Sequence, residues 1–407
     1  MPINTKNLTL PAEAQAGLLT TVVFLTYMGQ MLLNPIIAPL SREMGLHEWH
    51  IGATISLSAV VLAALSPFWG RTSQRLGAKR IFITGMIIAI TSLVLFAAVS
   101  YLGMHKTLTG AGLVVGVLLS RGLAYGAGIS AVSPTAQAHL VTHTTSEAGR
   151  VKAMGMIGAA QGMASIIGGI VGGGLAAIGG LLLPLAVMPV IMLMGIIVLG
   201  IKFHPKNTTN LVSQPKRIHF NDPRVKPWLI SGLVMFLAFS SITTIFGFTI
   251  QDRFSLSGQA TAGVSAIYLT IMGVTMIVGQ AIIAPSTKWG ASKLLRAGFL
   301  LQLLAVICLW PTTSHALLTV ASILLGLGMG LAMPGYNTGP TLSMSTEEQG
   351  GVAGIINATN GAAYAIAPIL STGLYGLTPL APFIISIALI ATVTVYTHAH
   401  PLLRASR

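Results

Sequence analysis

The sequence predicts an all-α polytopic membrane protein, twelve transmembrane helices in two related six-helix halves. Three observations carry that prediction. The 407 residues are 53% hydrophobic and only 7% charged, against roughly 25% charged in a soluble domain, and the mean hydropathy is +0.81. Apolar runs of about twenty residues, the length that crosses a hydrocarbon core, recur from end to end. The longest polar stretch falls between the sixth and seventh of those runs and separates segments that resemble one another.

In order, the runs lie near 17–40, 50–70, 80–102, 109–137, 150–178, 181–203, 227–250, 258–284, 293–311, 316–340, 351–376 and 378–397. The N-terminal MPINTKNLTLPAEAQ lacks the basic, apolar, small-residue order of a cleaved signal, so the first run reads as a retained span. Residues 1–203 form the first half, 204–226 a cytoplasmic linker, and 227–407 the second half. The linker is rich in Pro, Asn and Lys and has no periodicity.

The net charge is +14, but its distribution argues for insertion and against a nucleic-acid partner. With both termini cytoplasmic, 18 of the 22 Lys and Arg fall on the cytoplasmic side and only Arg42, Lys106 and Arg253 face out, with Arg121 in the membrane. That asymmetry orients a multi-pass protein of the plasma (bacterial inner) membrane, its basic face against anionic lipid. The single cysteine, Cys308, excludes an internal disulfide and a cysteine-rich metal site. No metal and no cofactor is expected, and a monomer is.

The halves repeat at a spacing of 200 residues. GAGISAVSP (126–134) matches GLGMGLAMP (326–334) at Gly126, Gly128 and Pro134, and TSE (145–147) matches STE (345–347), each a helix N-cap pattern. RLGAKRIFITG (75–85) parallels KWGASKLLRAG (288–298). Parallel six-span repeats are a mark of carriers that alternate access around a midplane site. Opposite Arg121 at this spacing stands Ala321, so the arginine is an addition to one half.

Three segments resemble motifs of the major facilitator superfamily. GRTSQRLGAKR (70–80) is similar to its loop G-x-L-a-D-R-x-G-R-K-R, with Gly70, Arg75, Gly77, Lys79 and Arg80 in place and Gln74 where the family has Asp. Two glycines suit a tight turn between helices. In the family the Asp latches the cytoplasmic gate, and glutamine cannot form that ion pair. GMIGAAQGMASIIGGIVGGG (155–174) resembles the antiporter motif G-x8-G-x3-G-P-x2-G-G through Gly155, Ala164, Gly168, Gly169, Gly172 and Gly173, with Ala for one glycine and Gly169 for the usual proline. Bland helix packing explains part of this match; as a family motif it marks exporters. LLSRGLAYG (118–126) resembles the intramembrane arginine followed by glycines, though Ala124 and Tyr125 replace the usual Gln-Gly. The resemblance covers nearly the whole chain and is closest to the twelve-span drug:proton antiporter group.

All eight acids (Glu13, Glu43, Glu48, Glu147, Asp222, Asp252, Glu347, Glu348) fall in loops or at helix ends. Asp252, beside Arg253 at the outer end of span seven, is nearest to a cavity, though a solvated ion pair or helix-end cap explains it too. A cavity for cationic drugs would hold a buried acid, and the one deep charge is Arg121. Structurally it could be satisfied by Gln30 or Asn34; functionally its planar fork suits a carboxylate or modulates proton release. Tyr27, Gln30 and Asn34 trace one helical face, as do Asn357, Asn360 and Tyr364. Tyr125, Gln161, Tyr336 and Asn337 complete the candidate substrate and proton-coupling set, each of them equally suited to interhelical hydrogen bonding.

The expected function is proton-coupled antiport that exports a small anionic or zwitterionic organic molecule. Carboxylate siderophores and acidic antibiotics both qualify as substrates. Proton-coupled uptake of an organic anion is the alternative, which the antiporter motif disfavours. No catalytic constellation, filter-like segment or phosphate-binding Gly-Lys-Ser/Thr loop supports an enzyme, channel or ATP-driven pump.

Overall fold

The computed structural model describes residues 15–142, 147–203, 218–287, 289–310, 313–344 and 348–404. Among the described residues, twelve helical segments correspond to the twelve expected spans. They are α1 (Ala16–Met31), α2 (Glu48–Leu76), α3 (Ala78–Met104), α4 (Gly110–Val117, Leu118–Ala124 and Tyr125–Thr142 in succession), α5 (Glu147–Gly179), α6 (Leu183–Lys202), α7 (Lys226–Phe254), α8 (Gly258–Thr287), α9 (Ala291–Leu309), α10 (His315–Thr338), α11 (Gln349–Leu377) and α12 (Ala381–Ala399). Ten of these are long and apolar enough to cross a bilayer, α1 is apolar but shorter, and α11 runs for 29 residues. Only helices satisfy every backbone group within one segment in a medium without water. Prolines 67, 134, 189, 334 and 368 accordingly sit inside continuous helices.

Two boundaries differ from the sequence reading. The first apolar run breaks at Met31, turns over residues 32–36 and resumes as a short helix, Ile37–Glu43. Pro35 disfavours helical backbone at Asn34, which places the break. The segment 70–80, expected as a loop with two turn glycines, is almost wholly helical. Gly70 lies within α2, and Gly77 alone joins α2 to α3 at φ +87°, a left-handed conformation that glycine adopts without strain.

The chain forms two compact units. The first holds residues 1–36, 43–45 and 57–213; the second holds 37–42, 46–56 and 214–407. The second unit therefore includes all but the last residue of the short helix after α1, and the first turns of α2.

Within each unit the helices pair in the same order. In the first unit α1 packs on α4, α5 and α6, and α3 on α4 and α6; in the second α7 packs on α10, α11 and α12, and α9 on α10 and α12. The repeated glycines make this possible. A Cβ on Gly126 would stand 2.8 Å from Ser58 O of α2, and one on Gly326 2.2 Å from Met272 O of α8. A Cβ on Gly128 would lie 2.9 Å from Gly85 O of α3, and one on Gly328 2.8 Å from Gly298 O of α9. Gly85 and Gly298 are the last residues of the two segments matched in sequence, so the repeat is a repeat of helix contacts. The N-cap patterns at 145–147 and 345–347 fall largely outside the described residues.

Candidate functional site

In the first unit the polar side chains gather on α1, α4 and α5. Arg121 lies in a π-helical stretch, Leu118–Ala124, which interrupts α4. Such one-turn expansions recur at functional sites because they shift side chains out of the regular register. Ser92 Oγ of α3 donates to Ser120 O at 2.7 Å and ties the expanded turn down. Arg121 is 6% exposed. Its guanidinium carbon lies 4.5 Å from the Tyr125 ring centroid, a cation–π arrangement. Its Nη1 has no hydrogen-bond partner among the described residues. Tyr125 is fully buried and donates to Thr26 O of α1 at 2.9 Å.

Beside this pair Tyr27 neighbours Ser133 and Gln161. Ser133 Oγ accepts from Gln161 Nε2 at 3.2 Å and Gln137 Nε2 at 3.3 Å. Gln30 keeps a buried Oε1 with no partner among the described residues. Asn34 stands apart: it lies beyond the end of α1, exposed, with Nδ2 3.4 Å from Met31 Sδ. The face expected of Tyr27, Gln30 and Asn34 thus ends at Met31, again because Pro35 follows. Arg121 is bonded to neither Gln30 nor Asn34.

The antiporter-like glycines lie along α5. Ala164 is fully buried, and Gly168 and Gly172 receive the end of α1. A Cβ on Gly172 would lie 2.0 Å from Leu32 O, and one on Gly168 2.9 Å from Met31 Cβ, whereas Gly169 faces open space. Gly173 is buried, and Gly155 lies within α5 where its surroundings are outside the described residues. Of the 70–80 motif, Lys79 Nζ donates to Gly200 O near the end of α6 at 2.7 Å and Arg80 is exposed. The side chains of Gln74 and Arg75 are outside the described residues.

In the second unit the corresponding cluster is neutral and aromatic. Tyr336 of α10, fully buried, donates to Asn360 Oδ1 of α11 at 3.1 Å. Phe236 of α7 contacts both Tyr336 and Tyr364, with ring centroids 6.1 and 5.6 Å apart. Asn337 is half-buried and Asn357 exposed. Ala321, opposite Arg121 in the repeat, is fully buried.

Asp252 lies outside both clusters. It is ion-paired with Arg42 (Nη2–Oδ2 2.9 Å) and accepts from Tyr375 Oη at 2.7 Å. Arg42 Nη2 also reaches Glu48 Oε1 at 2.9 Å, and its guanidinium lies over Phe248 at 5.2 Å. Partial burial works against the charged guanidinium, but hydrogen bonds to Asp252 and Glu48 outweigh it and push the Arg42 pKa above its ordinary value. Neighbouring Arg253 instead donates to Leu309 O and Trp310 O at the end of α9. Sequence adjacency had suggested Arg253; the actual partner is 210 positions earlier, and nothing local in the sequence signals it.

The family model of the major facilitator superfamily matches residues 19–368 and 268–403. The chain belongs to this superfamily. It is a transporter, one of a family of carriers that are not enzymes. It is 25% identical over 374 residues to the class B tetracycline resistance protein of Escherichia coli, covering 87% of this chain and 86% of that one. It is also 25% identical over 360 residues to multidrug resistance protein 1 of Bacillus subtilis (strain 168), covering 86% and 85%. The fold matches the nucleoside transporter NupG with a TM-score of 0.73 at 12% identity over 96% of this chain and 99% of that one. It matches the human organic anion transporter MFSD10 (TETRAN) with 0.64 at 15% identity over 95% and 100%.

Proposed function

We propose that this superfamily member is a proton-coupled antiporter that exports a small anionic or zwitterionic organic molecule by alternating access. One observation carries the substrate class. Arg121 is a buried guanidinium with an unpartnered Nη1, resting on an aromatic ring and faced by no carboxylate among the described residues. A charge at bilayer depth costs about 2.5–3.5 kcal/mol on insertion scales. Interhelical glue does not require it, since the second unit packs in the same order with Ala321 in its place. A carboxylate would supply the missing partner through a bidentate pair. Within the same unit Tyr27, Gln161 and Ser133 offer neutral hydrogen-bonding groups beside Arg121.

Resistance proteins among the relatives support export, as does the glycine pattern of α5. Uptake of an organic anion remains the second reading, and the direction of flux in oriented vesicles separates the two. For proton coupling the proposed group is Asp252, one of the two carboxylates that hold Arg42. The distribution of Lys and Arg supports a plasma-membrane location with both termini cytoplasmic.

The test is transport by purified protein in liposomes under an imposed pH gradient, with the substrate first found by comparing metabolites of cells with and without the protein. Arg121→Ala should abolish transport with insertion and expression unchanged; wild-type flux in that variant would sink the substrate reading.

A further inference from the structure

We propose that the groove between α7 and α12 is a binding site for one anionic phospholipid, its acyl chain in the groove and its phosphate among Lys226, His400 and Arg404.

The groove belongs to the second unit, measures about 350 Å³ and is apolar along its length. Its walls follow helical spacing. Ile230 and Val234 come from α7, and Ile385, Ala388, Thr392 and Tyr396 from α12. From 385 to 396 a helix rises about 16 Å, close to the roughly 15 Å hydrocarbon depth of one leaflet. The dimensions therefore suit one acyl chain lying along the helices.

The chemistry changes at one end. The stripe of Ile230 and Val234 continues one turn back to Lys226, exposed, whose Nζ donates only to the neutral Asn221 Oδ1 at 2.8 Å among the described contacts. On α12 the stripe continues from Tyr396 to His400, the two rings 5.3 Å apart. His400 Nδ1 is buried and has no hydrogen-bond partner among the described residues. The chain then turns into the short helix Pro401–Arg404, which packs against α7 and presents an exposed Arg404. The nearest acid on this chain segment, Asp222, is already held by Arg224 at 2.8 Å, as is Glu348 at 3.2 Å. Basic groups thus stand at the end of an apolar groove where α7 begins and α12 ends, and the described acids nearest in this segment, Asp222 and Glu348, are already paired with Arg224. A phospholipid is the molecule whose apolar and anionic parts are joined in that order. A helix of a second copy would fit the apolar stripe but leave the basic end unanswered.

Two variants separate the two parts of the site. Lys226→Gln with Arg404→Gln removes charge from exposed positions, and Ala388→Trp fills the groove from an exposed position without entering the helix core. The measurement is native mass spectrometry of the full chain in detergent with palmitoyl-oleoyl phosphatidylglycerol or phosphatidylcholine, with inorganic phosphate as a separate competitor. The intact protein should retain one phosphatidylglycerol at least tenfold more strongly than phosphatidylcholine, since a basic residue near an anionic surface is worth about a factor of five. The double glutamine variant should lose that preference but still bind either lipid, and Ala388→Trp should bind neither. Inorganic phosphate should not displace the lipid. Equal retention of the two lipids by the unaltered protein, no effect of either variant, displacement by phosphate alone, or a dimer mass that Ala388→Trp converts to monomer would each overturn the proposal.

Discussion

The polar clusters of the two units differ although their scaffolds match. Around Arg121 the first unit places a cation on the Tyr125 ring, with Tyr27, Ser133 and Gln161 alongside. Around Tyr336 the second unit places neutral groups, Asn360, Phe236 and Tyr364. Both rest on the same glycine contacts, Gly126 and Gly128 in one and Gly326 and Gly328 in the other. Packing is therefore the shared inheritance of the repeat, and charge is what one unit adds to it. The difference separates residues that build the shared scaffold from residues that one unit alone carries.

That separation can be broken most severely through the scaffold. Gly172→Val should remove most folded protein, because even a Cβ there would lie 2.0 Å from Leu32 O, just past the end of α1, and overpacking of this kind costs about 1–3 kcal/mol or more. Gly169→Ala, three positions earlier, faces open space and should leave yield and thermal stability unchanged. Monodisperse yield after size-exclusion chromatography measures both, and equal behaviour would mean the α1–α5 contact is not the reason for the glycines.

Next in size is the charge. Arg121→Ala should lower transport by more than about tenfold, the factor that hydrogen bonds to a charged group supply, with normal yield. Arg121→Lys should recover little if a bidentate pair is made; near-normal flux in that variant would point to charge alone. Ala321→Arg, which copies the charge into the second unit, should instead reduce folding, because the position is fully buried and a central arginine costs about 2.5–3.5 kcal/mol.

Smaller still is the effect expected of Asp252→Asn. Arg42 keeps Glu48 at 2.9 Å, so the protein should fold, while transport loses much of its response to an imposed pH gradient. An unchanged pH response would assign Asp252 a purely structural pairing. The smallest is Tyr336→Phe, which removes one hydrogen bond to Asn360; such bonds in membranes average about 0.6 kcal/mol, so transport should change by no more than about threefold.

Much of the fold was legible from the chain. Hydropathy runs located the helices, and the 200-residue repeat pointed to the glycines that later proved to face corresponding neighbours. The first span was misjudged in length because its apolar run continues through Pro35, whose effect is on backbone geometry and not on hydropathy. The 70–80 segment read as a loop because its charged and glycine residues resemble one, yet helical hydrogen bonding continues through all but Gly77. The polar residues were legible in kind, but their partners were not. Arg121 stood out by charge alone, whereas its place over Tyr125 and the loss of Asn34 from the polar face depended on where α1 ends and how α4 expands.

By itself the sequence determined that this is a helical membrane carrier with two related halves and a single deep cation, because bilayer insertion is governed by hydropathy and charge, which are local and additive along the chain. Tertiary structure decided which glycines are contacts and which are idle, and that Asp252 belongs with Arg42 and not with its neighbour Arg253. Those outcomes depend on helices meeting across hundreds of residues, where a shift of one residue along a helix turns a side chain by about 100° and changes every partner it has.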